Sequence, residues 1–183
     1  AFDVISSTEG RNRKVLIHWA PNNLANYTDS TQWATETLYE DGSQWMYSIS
    51  IDVDGKNGPD IVIGGKNQDG KLGWVQSPEN PRNISDWKFH FLTTGGWTMS
   101  LLTKDMDADG DLDLLLSDRK GQTNGIRWLE NPGENSKTLS QPWTIHWIAD
   151  HLDAPLFIHT RDFDNDGIEE IAVPYYKDDI GFI

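Results

Sequence analysis

The chain has 183 residues, enough for one sizeable core, and its 15 basic against 29 acidic residues leave a formal charge of −14. That balance excludes nucleic acid as a partner, since phosphate contact needs a basic patch, and it disfavours adhesion to anionic membranes. There is no cysteine for a disulfide or thiol chemistry and no apolar run suited to membrane insertion, so nine Trp, six Phe and five Tyr must supply the core.

Residues 1–43 read as a partial unit, with apolar strand signals at Val4-Ile5, Leu16-Ile17-His18-Trp19-Ala20-Pro21 and Trp33-Ala-Thr-Glu-Thr-Leu38. Residues 44–95 form a fuller one. Strands are expected near 46–51, 60–65, 71–77 and 87–92, and the acidic loop Asp52-Val-Asp54-Gly-Lys56-Asn57-Gly58-Pro59-Asp60 joins the first two. Residues 96–150 repeat the plan with strands near 98–104, 113–117, 125–131 and 143–148. The loop there is Asp105-Met-Asp107-Ala-Asp109-Gly110-Asp111-Leu-Asp113. Residues 151–183 begin it again, with strands near 156–161 and 169–174 around Asp162-Phe-Asp164-Asn-Asp166-Gly167-Ile168-Glu169-Glu170. Gly181-Phe-Ile183 falls where a third strand should start. The loops begin 53 and then 57 residues apart. The framework recurs with them: Gly73-Trp74-Val75-Gln76-Ser77-Pro78 matches Arg127-Trp128-Leu129-Glu130-Asn131-Pro132, and Trp87 to Leu92 matches Trp143 to Ile148.

Acidic residues at loop positions 1, 3, 5 and 9 alternate along a tight turn and converge on one point. That is the oxygen cage a hard cation such as Ca²⁺ takes, and glycine after position 5 permits the chain reversal. The expected ligands are Asp105, Asp107, Asp109 and Asp113, with the carbonyl of Asp111, and Asp162, Asp164, Asp166 and Glu170, with the carbonyl of Ile168. The weaker first set is Asp52, Asp54 and Asp60, because Lys56 stands where Asp109 and Asp166 stand; its ammonium is expected to replace the ion or weaken it. An EF-hand would close with Glu at position 12 between helices, and no helical period is present here. Without metal these carboxylates repel one another, so stability is expected to depend on calcium.

Four short antiparallel strands in each unit of about 40–55 residues is the pattern of a β-propeller blade. The expected class is therefore all-β, in blades spanning 1–43 (partial), 44–95, 96–150 and 151–183 (partial). At this point the chain resembles the FG-GAP/VCBS repeats of integrin-like β-propellers. The resemblance rests on the three D-x-D-x-D-G-x-x-D-like loops and the Trp/Pro framework, and it implies calcium between the first and second strands of each blade. Aligning Pro21 with Pro78 puts Asp3 on Asp60, so Asp3 reads as the last residue of a further acidic loop. Closure needs at least four blades. The rest of a larger propeller, of about seven blades, is therefore expected in a longer chain; a self-contained open array is the alternative.

Millimolar calcium fills weak sites outside the cytosol, so an extracellular or periplasmic setting is expected. Repeats that specify a rigid disc but no reaction lead to the expectation of a recognition module for a glycan or protein. The resemblance also allows a polysaccharide lyase or sugar dehydratase, because such enzymes are built on similar propellers. Trp74, Trp87, Trp128 and Trp143 recur and are expected in the core. Trp45 and Trp97 do not align perfectly and are the candidate ligand platforms. His90 and His146 recur and read as structural. The non-recurrent His159, Arg161 and Tyr175, with Tyr176 beside the last, are the catalytic candidates: His159 and Arg161 are two apart on one strand face and suited to proton abstraction. Asn26 and Asn83 match the N-glycosylation pattern, which matters only in a eukaryote.

Overall fold

The computed structural model describes residues 2–175 and 180–182 and is built of antiparallel strands. Three 3₁₀ turns, Leu24–Asn26, Ser30–Gln32 and Ile84–Asp86, are the helical elements among them, and no helix is long and apolar enough to cross a membrane. The strands are β1 (Val4–Ser7), β2 (Lys14–Trp19), β3 (Ala34–Glu40), β4 (Gln44–Ile51), β5 (Asp60–Gln76), β6 (Lys88–Lys104), β7 (Asp113–Asp118), β8 (Gly125–Glu130), β9 (Thr144–Asp150), β10 (His159–Arg161), β11 (Glu170–Pro174) and β12 (Ile180–Phe182).

Two strands run to 17 residues because each serves two pairings. β5 pairs with β4 through Asp60–Lys66, then reverses near Asn67, which takes the left-handed φ of 87°. It pairs with β6 through Gly70–Gln76. β6 in turn pairs with β5 up to Trp97 and with β7 from Thr98 to Lys104. The expected strands 60–65 and 71–77, and 87–92 and 98–104, are thus halves of continuous runs. β1-β2-β3 and β10-β11-β12 form the sheets on either side in sequence, and β12 supplies the strand expected near Gly181.

The core explains why the central strands carry unbroken apolar runs. Ile61 and Ile63 point to a cluster with Val15, Ile17 and Trp45, whereas Val62 between them points to a second cluster with Leu92, Leu114 and Leu116. Leu115 points to a third, with Ile126, Ile158, Ile171 and Val173. Side chains alternate across a strand, so three consecutive buried residues mean that both faces of the sheet are covered. The β1-β2-β3 sheet therefore packs on β4 and β5, the β10-β11-β12 sheet packs on β7 and β8, and the two halves of the six-stranded sheet β4-β5-β6-β7-β8-β9 pack on each other. Truncating Leu115 or Val62 to alanine would remove contacts worth about 2–4 kcal/mol.

The recurrent tryptophans hold the same joints in each copy. Trp33 Nε1 donates to the Tyr27 carbonyl at 3.2 Å and Trp87 Nε1 to the Pro81 carbonyl at 2.9 Å, each six residues back across a 3₁₀ turn. Trp143 does likewise to Leu139 at 2.9 Å. Trp74 and Trp128 stack on His90 and His146 with centroids 4.6 and 4.1 Å apart, and those imidazoles bond Gln76 and Glu130. The histidines are structural partners of the tryptophans.

Candidate metal centres

Each acidic loop joins the outgoing strand of one hairpin to its return: β4 to β5, β6 to β7, β10 to β11. Two positions are left-handed in all three loops, and Gly58 adds a third in the first, at φ of 91°. Position 4 has φ of 64–66° in all three copies, at Gly55, Ala108 and Asn165. Position 6 has φ of 61°, 101° and 92°, at Asn57, Gly110 and Gly167. Asn57 takes the place of glycine in the first loop because asparagine tolerates this region. The position-4 requirement was not visible beforehand, since glycine, alanine and asparagine share no obvious signature.

This backbone brings together the carboxylates at positions 1, 3 and 9. Asp52, Asp54 and Asp60 form one group, Asp105, Asp107 and Asp113 a second, and Asp162, Asp164 and Glu170 a third, with ligand oxygens within 4.8 Å of one another in each. Position 5 stands outside these groups. Asp109 and Asp166 instead accept from the amides of Asp111 (3.1 Å) and Ile168 (2.8 Å), closing the turn. Lys56 is exposed and makes no ion pair among the described residues.

Position 9 has a second duty. One oxygen of Asp60, Asp113 or Glu170 accepts from the position-2 amide of its own loop, at 2.9, 2.8 and 2.7 Å. The other oxygen of Asp60 accepts from Ser77 N at 2.7 Å, and that of Asp113 from Asn131 N at 2.8 Å, beyond the following strand. Asp3 accepts from Ala20 N at 2.7 Å, the same bond in the first copy, as its alignment with Asp60 predicts. Position 9 is therefore a staple between loop and hairpin as well as a ligand candidate.

The electrostatics differ between loops. Burial pushes the Asp60 carboxyl up to about 6 against the pull of the Ser77 and Val53 amides, with Asp54 and Asp52 adding repulsion. Burial likewise raises Asp113, and it lifts Asp111 to about 6 with help from the charges of Asp109, Asp113, Asp107 and Asp105. Asp105 Oδ1 and Asp111 Oδ1 are buried without a hydrogen-bond partner. Such oxygens cost free energy unless a cation meets them, so the second loop fits a hard ion. In the first loop Asp54 is 2% exposed and takes a hydrogen bond from Gln76 Nε2 at 2.5 Å, so a protein donor already serves it. A cleft of about 620 Å³ lies between the first two loops, lined by Asp52, Gly55, Asp111 and Glu134 among others. Lys104 Nζ meets Glu169 at 2.5 Å and ties the second loop to the third.

The other candidates separate. Trp45 is fully buried, edge-on to Tyr39 and Phe89 at 5.7 and 6.0 Å, so it is core and no ligand platform. Its lack of a recurrent counterpart does not leave it at a rim, because the neighbouring sheet closes over it. Trp97 is half-buried, ringed by Lys66, Arg119 and Lys120. His159 and Arg161 are exposed and pair across the ladder with Ala172 and Glu170. Tyr175 falls on the opposite face of β11, with the buried Ile171 and Val173. The three catalytic candidates therefore do not converge; Tyr176 lies outside the described residues.

No curated protein matches this chain. A family model does: residues 105–173, from the first carboxylate of the second loop into the strand after the third, match the FG-GAP-like repeat. The chain thus carries an FG-GAP-like repeat with two of its three carboxylate triads inside it.

Proposed function

We propose that this chain is a calcium-stabilised part of a β-propeller that acts as a recognition module for a glycan or protein outside the cell or in the periplasm. The observation that carries the calcium half is the pair of buried, unpartnered oxygens, Asp105 Oδ1 and Asp111 Oδ1, beside a convergent carboxylate triad. Ca²⁺ takes six to eight oxygens from carboxylates, carbonyls and water, and the triads of the second and third loops supply three each, with the carbonyls of residues 111 and 168 and water as the remaining donors. The ion's work is structural: it neutralises like charges that would otherwise push the loop open and so locks the hairpin. The first loop does without, because Gln76 and the backbone amides satisfy its carboxylates.

The recognition half follows from the stacked rigid sheets and from the separation of His159 and Arg161 from Tyr175, which leaves no assembled group for catalysis among the candidates. The test is titration calorimetry of the calcium-stripped chain. Two ions should bind, one should remain in Asp107→Asn, and Asp54→Asn should keep both. Saturating calcium at about 100 times Kd should add roughly 2.7 kcal/mol per site to stability. Identical melting in EDTA and in excess calcium would refute the proposal.

A further inference from the structure

The first acidic loop is held less completely than its sisters, and the part left loose is an Asn-Gly pair. In the second and third loops the amides at positions 6 and 7 are both capped by carboxylates of the same loop. Gly110 N and Gly167 N donate to Asp105 and Asp162 at 3.2 and 2.9 Å. Asp111 N and Ile168 N donate to Asp109 and Asp166 at 3.1 and 2.8 Å. In the first loop position 5 is Lys56, whose ammonium accepts nothing, and neither Asn57 N nor Gly58 N finds an acceptor among the described residues. Asn57 is exposed, and nothing lies within 4 Å of where a Gly58 side chain would begin. The one side-chain bond of Asn57 runs from Nδ2 to the Ser77 carbonyl at 3.2 Å. A second Asn-Gly pair, Asn124-Gly125, is tied down throughout. Asn124 Nδ2 donates to the Leu152 carbonyl at 2.9 Å, and the Asn124 carbonyl accepts from His151 N at 2.9 Å. Gly125 is buried in the ladder between Asp118 and Asp150, where a side chain would strike the Ala149 carbonyl at 2.3 Å.

Glycine after asparagine leaves the backbone nitrogen unshielded for attack on the carboxamide carbon. The bond from Gly58 N to Asn57 Cγ forms, the Cγ–Nδ2 bond breaks, and the amide proton leaves with Nδ2 as ammonia. Water then opens the five-membered imide at either carbonyl, giving aspartate or isoaspartate. The step needs a nitrogen that is not already engaged and a segment that can leave its resting backbone, which only the first pair offers. We propose that Asn57 is a site of spontaneous deamidation in the folded protein, with water as co-reactant, and that Asn124 is protected. Conversion turns a carboxylate toward the Ser77 carbonyl in place of the Nδ2 donor. It also adds a negative charge to a loop whose three carboxylates already lie within 4.8 Å of one another. Isoaspartate further inserts a methylene into the turn. The first loop therefore ages toward a looser hairpin, while the second and third, with glycine at position 6 and both amides capped, do not.

The test is incubation of the intact chain at mildly alkaline pH, well below its melting transition, followed by peptide mass spectrometry and isoaspartyl methyltransferase labelling. The peptide holding Asn57 should accumulate aspartate and isoaspartate while the peptide holding Asn124 stays unchanged, and in urea-unfolded chain the two should react at similar rates. Lys56→Asp gives Gly58 N the acceptor that the sister loops have and should slow the reaction about fivefold, the worth of one amide hydrogen bond. Lys56→Ala removes the charge without supplying an acceptor and should not slow it comparably. The aged chain should be more acidic on ion exchange and should melt lower than the fresh one. An Asn57 that stays intact in the folded chain while reacting in urea would overturn the proposal, as would Asn124 reacting as fast as Asn57 in the folded chain. Equal rates in Lys56→Asp and the parent would overturn the assignment to an uncapped amide, and unchanged melting after conversion would overturn the loosening of the hairpin.

Discussion

The first and second acidic loops share a backbone and differ in what answers their charge. Both bring positions 1, 3 and 9 within 4.8 Å, and both staple position 9 to two amides. In the first, Lys56 replaces the fifth acid, Asp54 is buried, and Gln76 donates to it. In the second, Asp109 adds charge, Glu130 bonds His146 as Gln76 bonds His90 but has no N–H to offer the loop, and two buried oxygens lack partners. The same turn is thus completed by the protein's own donors in one copy and left with unpartnered buried oxygens in the other. The deciding residues lie as much on the third strand of the unit as in the loop.

The largest effect expected comes from the shared staple. Asp113→Ala and Asp60→Ala each strand two amides, at about 1–3 kcal/mol apiece, so each should cost roughly 3 kcal/mol in chemical denaturation. They should part company with calcium: the cost of Asp113→Ala should be larger in calcium than in EDTA, and that of Asp60→Ala the same in both. Equal calcium dependence of the two would erase the distinction between the loops.

A conversion should come next. Lys56→Asp with Gln76→Glu gives the first loop the second loop's charges, and calorimetry should then count one more calcium than in the parent. In EDTA this double variant should be less stable by about 1 kcal/mol or more, since like charges now face Asp54 without a donor. An unchanged ion count would show that loop geometry, rather than donor supply, decides occupancy.

The pH response sharpens the comparison further. Asp60 has a folded pKa near 6, above the unfolded carboxyl value of about 3.9. Its contribution is therefore fully present below about pH 4 and is lost as pH rises through 6. In thermal melts this slope should be reduced in Asp60→Asn and should be the same with or without calcium. A slope abolished by calcium would place an ion in the first loop.

The smallest effect expected is at Ala108, which holds φ of 64° where the first loop has Gly55. Ala108→Gly should raise stability by about 1 kcal/mol by relieving left-handed strain, in EDTA as well as in calcium. A loss of stability would mean that the second loop adopts a different turn.

Much of this protein was legible one residue at a time. The apolar runs Ile61-Val62-Ile63 and Leu114-Leu115-Leu116 specify strands, and the spacing of Asp105, Asp107 and Asp113 specifies convergence, because strand preference and a tight turn are local. The offset that sets Asp3 on Asp60 is matched by a shared bond, since Asp3 accepts from Ala20 N as Asp60 does from Ser77 N. What tertiary structure alone decided involves partners far along the chain. Trp45 is covered by Tyr39 and Phe89 from two other strands, whereas Trp97 meets cations from two different turns. Asp54 is answered from Gln76, 22 residues on. Tyr175 is turned away from His159 by the register of β10 on β11. Burial and charge balance are properties of what surrounds a side chain, and in stacked sheets those surroundings come from the neighbouring strand and the neighbouring sheet.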